Sequence, residues 1–442
     1  MAPLKILIVG AGIGGSAIAF WLSKLGHDVT VVERSSIDHV NGLQLDLRGQ
    51  GITAMRRMGI DAEIKAKCVP EAGFAIIDGK GRRRAYFPAN AAGKTQTMTS
   101  EYEILRSDLC QVLRDASGGR VKYVFSTSIE SFEEVKVKDT DDESREKTTL
   151  LVRLNNGETM HVDLIVGADG LGSRTRKLML GPNAPNPLRS TGNYTAYFTA
   201  PIPNRDGAKF IADAYMAKND VFFLTRRHNA STMQIYLKSK AASDSLKTSK
   251  TRDVQEQKKA FAEGLQGTGW ESKMFEEKLW AASDFYCQSE GVIELDSWSS
   301  GGCVTLLGDA GYGAPPNGWG TSCALVGAYV LAGEITKYCG TASADGKGET
   351  KKTEVTGARR ETGLPEALQS YEKIMRPLVD GLQKGHREPK SGHKIPRTDF
   401  TFEMAYKAMW LASKVRLDLL IAKFIPEGGN NWKMPEYEEL KF

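Results

Sequence analysis

Apolar residues change their period several times along the chain, and the changes divide it. Residues 5–9, KILIV, form a β-branched run suited to a strand buried on both faces. Ile18, Ala19, Leu22 and Leu25 then recur at helical spacing, Gly26 ends the helix, and 28–32 reads as a second strand closing on Glu33. Gln44, Asp46 and Arg48 alternate with leucines, as on a strand or an extended loop, before a short helix at 52–58. Residues 65–90 hold two strand-like stretches around an arginine-rich turn. Residues 102–114 return to helical spacing, with Ser107 or Asp108 as the cap. Two strands follow, at 121–137 and 148–162, joined by a charged hairpin tip.

LIV at 164–166 and VTLL at 304–307 are again short buried strands, the second leading into a helix of small residues from about Ser322. Between them, YTAYFTAPI, KFIADAYMA, DVFFLTRR and TMQIYLKS alternate apolar and polar positions. That is the pattern of an antiparallel sheet with one covered face, and a helix is expected at 254–265. Residues 338–363 are polar and read as a loop. Helices resume at 364–382, and 404–425 reads as one long amphipathic helix.

Three of these strands end alike. At the first, Gly10, Gly12 and Gly15 form G-x-G-x-x-G, with Gly14 inside the turn. The first glycine permits a tight turn, the second lets backbone approach a pyrophosphate at the helix N-terminus, and the third lets helix and sheet pack closely. Glu33 can accept a ribose hydroxyl. At the second, Gly167-Ala168-Asp169-Gly170 is followed by Ser173 and Arg176; at the third, Gly308-Asp309 opens a proline-glycine loop. The simplest arrangement sets the three side by side in one sheet, facing one extended ligand.

Composition adds exclusions. The 442 residues carry 59 basic and 54 acidic side chains, a net charge of +5 that names no nucleic-acid partner. The cysteines at 68, 110, 287, 303, 323 and 339 form neither C-x-x-C nor a metal-ligand spacing, which fits a reducing, cytoplasmic setting and no metal. The first strand begins at once, with no room for a leader peptide. Charges interrupt 404–425, so it does not span a membrane; packing on the body is the expectation, with peripheral membrane contact the weaker alternative.

In this order and spacing the motifs resemble the class A flavoprotein monooxygenases, the group of para-hydroxybenzoate hydroxylase and the tetracycline-inactivating monooxygenases. The resemblance runs through residues 1–335, and through the C-terminal helices in style. It implies an α/β fold: a Rossmann-like FAD-binding domain (1–181 with 297–335, and an excursion at about 65–100), an inserted antiparallel-sheet substrate domain (182–296) and a C-terminal helical region (364–442). It implies tightly bound FAD, NADPH or NADH as a transient co-substrate, and dioxygen. Asp169 resembles the D-G motif and Asp309 the G-D acid that holds the sugar hydroxyls. Arg34 would lie beside the AMP half. Arg106 resembles an arginine reaching the flavin side; Asp46 resembles a residue near the flavin, and Arg48 a nicotinamide-phosphate or FAD contact. Pro316, Gly318, Gly320 and Thr321 belong to the loop facing the flavin ring. That loop is one residue shorter than usual, and Tyr312 stands where histidine is common. No second G-x-G-x-x-G is present, as expected where nicotinamide only visits.

The activity implied is reduction of FAD by NAD(P)H, formation of a C4a-hydroperoxide with dioxygen, and oxygen transfer to a small aromatic or polyketide-like molecule in secondary metabolism. Tyr215, Phe222, Phe223, Arg226, Tyr236 and Asn317 are the substrate candidates. No residue pair identifies a general base, and no catalytic residue is assigned. An oxidase or dehydrogenase of the same fold, or a non-catalytic FAD-binding redox sensor, are the alternative readings; the chain would act as a monomer or homodimer.

Overall fold

A computed structural model describes residues 3–36, 43–90, 99–138, 146–217, 220–248, 253–314, 318–340, 358–387, 398–424 and 432–441. The apolar run Lys5–Val9 lies inside a six-stranded sheet. Its neighbours are Asp28–Val32 on one side and Leu164–Gly167 on the other, both parallel to it. Val304–Leu306 pairs in parallel with Leu164–Gly167, so the three similar strand ends are adjacent. Val121–Val124 and the short Ser299–Ser300 close the two edges. Parallel strands must be covered on both faces. Helix Ile13–Lys24 covers one face, with Ala17 to Leu22 all buried, and helix Gly320–Cys339 packs beside it. The antiparallel strands Ile129–Lys138, Glu146–Leu154 and Thr159–Val162 cover the other face through Leu150 and Val152. Each fully buried Leu or Phe in these layers contributes roughly 1.5–3 kcal/mol.

The second large sheet has seven strands, in the order Tyr286–Ile293, Leu188–Ala200, Met233–Ser239, Val221–Arg226, Phe210–Met216, Glu71–Ile77 and Arg83–Pro88. The hairpin at 71–88 thus joins the sheet of the insert. Within the insert the pairings are antiparallel, as the alternation suggested, and the sheet becomes mixed only where Phe210–Met216 runs parallel to Glu71–Ile77 of the hairpin. A pattern of period 2 reports faces, not the direction of a neighbour. One face packs on helices Val254–Leu265 and Ser272–Ala281 through Phe261, Phe275 and Leu279. The opposite face meets the two-stranded pair Gln44–Asp46 and Glu103–Leu105.

Two local expectations need correction. Helix Arg106–Ala116 takes no cap from Ser107 or Asp108: its cap position is Leu105, two residues before Ser107, and the Arg106 N–H donates to Leu43 O at 2.9 Å. The stretch at 404–425 is two helices, Asp399–Lys414 and Leu417–Phe424. Arg416 breaks them apart at φ +50°, held by Asp418 and by Pro88 O. The first helix docks on the hairpin at 71–88, where Arg84 makes two bonds to Glu403 and lies over the Tyr406 ring. Among the described residues no helix is long and apolar enough to cross a membrane. Phe400, Met404, Trp410 and Leu411 stand exposed on this face.

Candidate functional site

The three glycines do three different things. Gly10 has φ +105°, and a Cβ there would meet Ala168 O at 2.6 Å, so the first and second strand ends touch through backbone. A Cβ on Gly15 would sit 1.9 Å from Gly10 O; this glycine is what lets helix and strand meet. A Cβ on Gly12 would meet only the tip of Arg106, at 3.5 Å. Gly12 also stands at the N-cap position of helix Ile13–Lys24 and no side chain caps it, so the first N–H groups of the helix are left to whatever lies in the groove. Gly14 faces Ala324 and Leu307 instead. Glu33 accepts from Ala11 N and Ser35 N, both at 2.9 Å, which fixes its carboxylate beside the turn. Arg34 follows it, exposed.

The second helix N-terminus lies alongside. Gly318 is exposed at φ +84°, Gly320 and Thr321 are half-buried, and no side chain caps the helix at Trp319. Asp46 and Arg48 form an ion pair against this turn: a Cβ on Gly318 would lie 3.3 Å from Asp46 Oδ1 and 3.4 Å from Arg48 Nε. Ser322 Oγ accepts from Arg48 N at 2.8 Å, tying the strand pair to the helix. Asp309 is open to solvent yet enclosed by protein on the groove floor. That enclosure raises its carboxyl pKa, while Arg106, the Ala314 N–H and Arg176 oppose the rise. Arg106 thus reaches both Gly12 and the surroundings of Asp309.

Asp169 is engaged by its own loop. Its carboxylate accepts from Ser173 Oγ, Arg174 N, Thr175 N and Thr175 Oγ1 at 2.5–3.1 Å, so it closes the start of helix Arg174–Leu180. Its backbone, not its side chain, borders the Gly10 turn. Arg176 is buried and donates to Ala310 O and Leu171 O, which locks the second strand end to the third. Tyr312 is buried beneath the helix, bonded to Tyr371, and does not line the groove. Pro316 and Asn317 lie outside the described residues.

The roof of the groove is the face of the seven-stranded sheet turned away from its helices, and alternation decides which residues belong to it. Tyr215 and Phe223 do not. They stack on each other at 6.0 Å and pack with Trp270 and Phe275 on the helix side, and Tyr215 OH bonds to Thr268 O. The alternate positions of the strand, Phe222 and Arg226, point the other way. Tyr236 joins them, with its O–H donating to Gln44 O at 2.9 Å. The sequence reading missed Tyr197 and Tyr286. Tyr197 meets Tyr236 edge-on at 5.4 Å and stacks on Tyr286 at 4.9 Å, so three tyrosines cross three strands. Tyr286 senses the charge of Arg106, which sets the end of this ladder near the cofactor floor. Burial pushes the Tyr197 hydroxyl up to about 12, so it stays a hydrogen-bond donor. The missed signal was phase: Tyr197 lies two residues from Thr195 and Thr199 on a strand whose Ala196 and Phe198 are core, but only the register shows which phase faces the groove.

Arg226 is held on both sides. Glu71 takes two of its bonds, at 2.9 and 2.7 Å, and Glu103 one at 2.7 Å. Neither acid carried a sequence motif.

The residues present fit a flavin dinucleotide: two uncapped helix N-termini side by side, a glycine that leaves room for phosphate, and an acid enclosed on the floor. Comparison with known proteins agrees. Residues 3–346 match the family of the FAD binding domain. The chain is 39% identical over 446 residues to the FAD-dependent monooxygenase asL4 of Sarocladium schorii, covering 100% of this chain and 99% of that protein. It is 39% identical over 390 residues to the flavin-dependent monooxygenase eupH of Phoma sp, covering 86% and 85%. Among solved structures, tetracycline destructase Tet(51) superposes with a TM-score of 0.71 at 26% identity, over 99% of this chain and 100% of that one.

Proposed function

The chain belongs to the FAD binding domain family, and we propose that it is an NAD(P)H-consuming, FAD-dependent monooxygenase that oxygenates a small aromatic or polyketide-like molecule. One observation carries the reading: two open helix N-termini and Arg106 lie close to the end of a ladder of three tyrosines.

FAD, when bound, supplies the redox and oxygen chemistry. The protein's part is position, field and dryness. Gly12 and the first turn of Ile13–Lys24 receive the pyrophosphate, and Glu33 the AMP ribose. Asp309 accepts a sugar hydroxyl. The turn at Gly318, Gly320 and Thr321, at the positive end of a 20-residue helix, stabilises negative charge on the ring edge placed against it. Arg106 adds a full positive charge between the two ends. Above, Tyr197, Tyr236 and Tyr286 offer aromatic faces and hydroxyl donors to a flat ligand, and Phe222 extends the apolar surface. The sheet excludes water from the space between.

In this reading residues 1–181 and 297–335 hold the cofactor, 182–296 and the hairpin at 71–88 cover it, and 364–442 brace the whole. A reducing, cytoplasmic setting is supported by six free thiols. The protein works as a monomer or homodimer without nucleic acid.

The test is the visible spectrum of the purified protein after incubation with FAD, then NAD(P)H consumption with and without a panel of phenols and polyketide aromatics. Bound flavin and aromatic-stimulated consumption support the proposal. A protein that takes up no FAD refutes it. Asp309→Ala should weaken FAD retention, since a buried sugar hydroxyl loses its acceptor.

A further inference from the structure

Asp46 and Glu103 stand directly opposite each other in the strand pair. Side chains so placed share a face, with Cβ atoms about 4.5–5.5 Å apart, and like charges there repel. Glu103 is only 1% exposed. Its Oε1 accepts from Arg226, but its Oε2 is buried without a hydrogen-bond partner. Gln44, two residues before Asp46 on the same face, leaves its Oε1 buried and unmet as well. A buried carboxylate oxygen with no donor facing it has a high affinity for a proton of its own.

Charge counting points the same way. Asp46, Glu71 and Glu103 face Arg48 and Arg226. With Glu103 ionised the cluster is one charge negative; with a proton on it, the cluster is neutral. Tyr236 and Cys68 also border Glu103, and neither is ionised at neutral pH. Burial pushes the Glu103 carboxyl up to about 7; Arg226 opposes this, and Asp46 and Glu71 add to it. Asp46 is the link to the groove, since it lies against the Gly318 turn with its side chain 11% exposed.

We propose that Glu103 is the proton acceptor of the groove: an acidic ring hydroxyl arriving between Tyr236 and the Gly318 turn gives up its proton, which passes by way of Asp46 to Glu103. The ring O–H bond breaks, its electron pair stays on the ring oxygen, and an O–H bond forms on Glu103. The ring is left as an electron-rich anion and the acid cluster becomes neutral. Glu103 does not touch the ring; it is a positioning residue acting through Asp46. This rests on the flavoenzyme reading, and flavin occupancy tells the two apart, because Glu103→Gln should keep its FAD.

The experiment is an infrared titration of the FAD-loaded protein across the neutral range. A carboxylic-acid band that titrates near pH 7 in the wild type should vanish in Glu103→Gln, persist in Glu71→Gln and return in Glu103→Asp. The same band in Glu103→Gln, or no titrating band in the wild type, overturns the proposal. With 4-cyanophenol as probe, at a pH just above 7 where Glu103 is ionised and the free compound is still mostly neutral, the wild-type holoenzyme should show the phenolate absorbance and Glu103→Gln should not. No phenolate with the wild type also overturns it.

Discussion

At the floor of the groove the protein presents backbone: Gly12 and Gly318 leave helix N-termini open, and the side chains nearby, Glu33 and Asp169, are engaged in holding the turns. At the roof it presents side chains, Tyr197, Tyr236 and Tyr286, on the face of a sheet whose other face is ordinary core. In the proposed reading the floor binds a group that never varies, so geometry fixed by a few glycines suffices. In the proposed reading the roof meets the substrate, and its chemistry can change one strand position at a time without touching the floor. A residue at the floor therefore acts through the cofactor. A residue at the roof acts through the substrate or, one position along, through the core.

The sharpest break in this comparison lies within one turn. Gly15→Ala places a Cβ 1.9 Å from Gly10 O and should abolish soluble folded protein, seen as loss of a cooperative melting transition. Gly12→Val meets no backbone, so it should melt cooperatively and yet fail to retain FAD. If both variants behave alike, the division of labour among the glycines is wrong.

Next in size is the pair Phe223 and Phe222. Phe223→Ala removes a fully buried ring and should cost about 3–5 kcal/mol in denaturant unfolding. Phe222→Ala, on the groove face, should cost far less stability but raise KM for the aromatic substrate. The reverse pattern would mean that the faces are misassigned.

Glu103 gives a smaller, pH-dependent effect. Its carboxyl is raised from 4.5 to about 7 in the folded protein. Between those values the folded chain holds a proton that the unfolded chain has lost, so stability falls as pH rises through this window. Glu103→Gln should gain on the wild type progressively from pH 4.5 to 7 and then hold its lead. A pH-independent difference would contradict the assignment. Smallest is Tyr236→Phe, which removes one bond to Gln44 O and should cost about 1 kcal/mol in substrate binding or stability.

The floor was legible in the sequence because its signals are local. Gly10 to Gly15, Glu33 and Gly308-Asp309 lie within a few residues of the strand ends they serve, and the structure sets those ends together. Arg106 was legible only through resemblance, since its approach to Gly12 joins residues far apart in the chain. The roof was not legible. Tyr215 and Phe223 look as suitable as Tyr236 in sequence, and a shift of one position exchanges core for groove. Glu71 and Glu103 were missed for a related reason. Each is an isolated acid, and only the meeting of the strand pair 44–46/103–105 with the second sheet brings them to Arg226. The break at Arg416 escaped the apolar pattern because a positive φ at a non-glycine residue leaves no mark on periodicity.

The most direct measurement supplies ¹⁸O₂ to the FAD-loaded protein with NAD(P)H and the aromatic that most stimulates its consumption. One labelled oxygen atom in the organic product is the result this account predicts. Label found only in hydrogen peroxide, with the aromatic recovered unchanged, would contradict it and make the protein an oxidase.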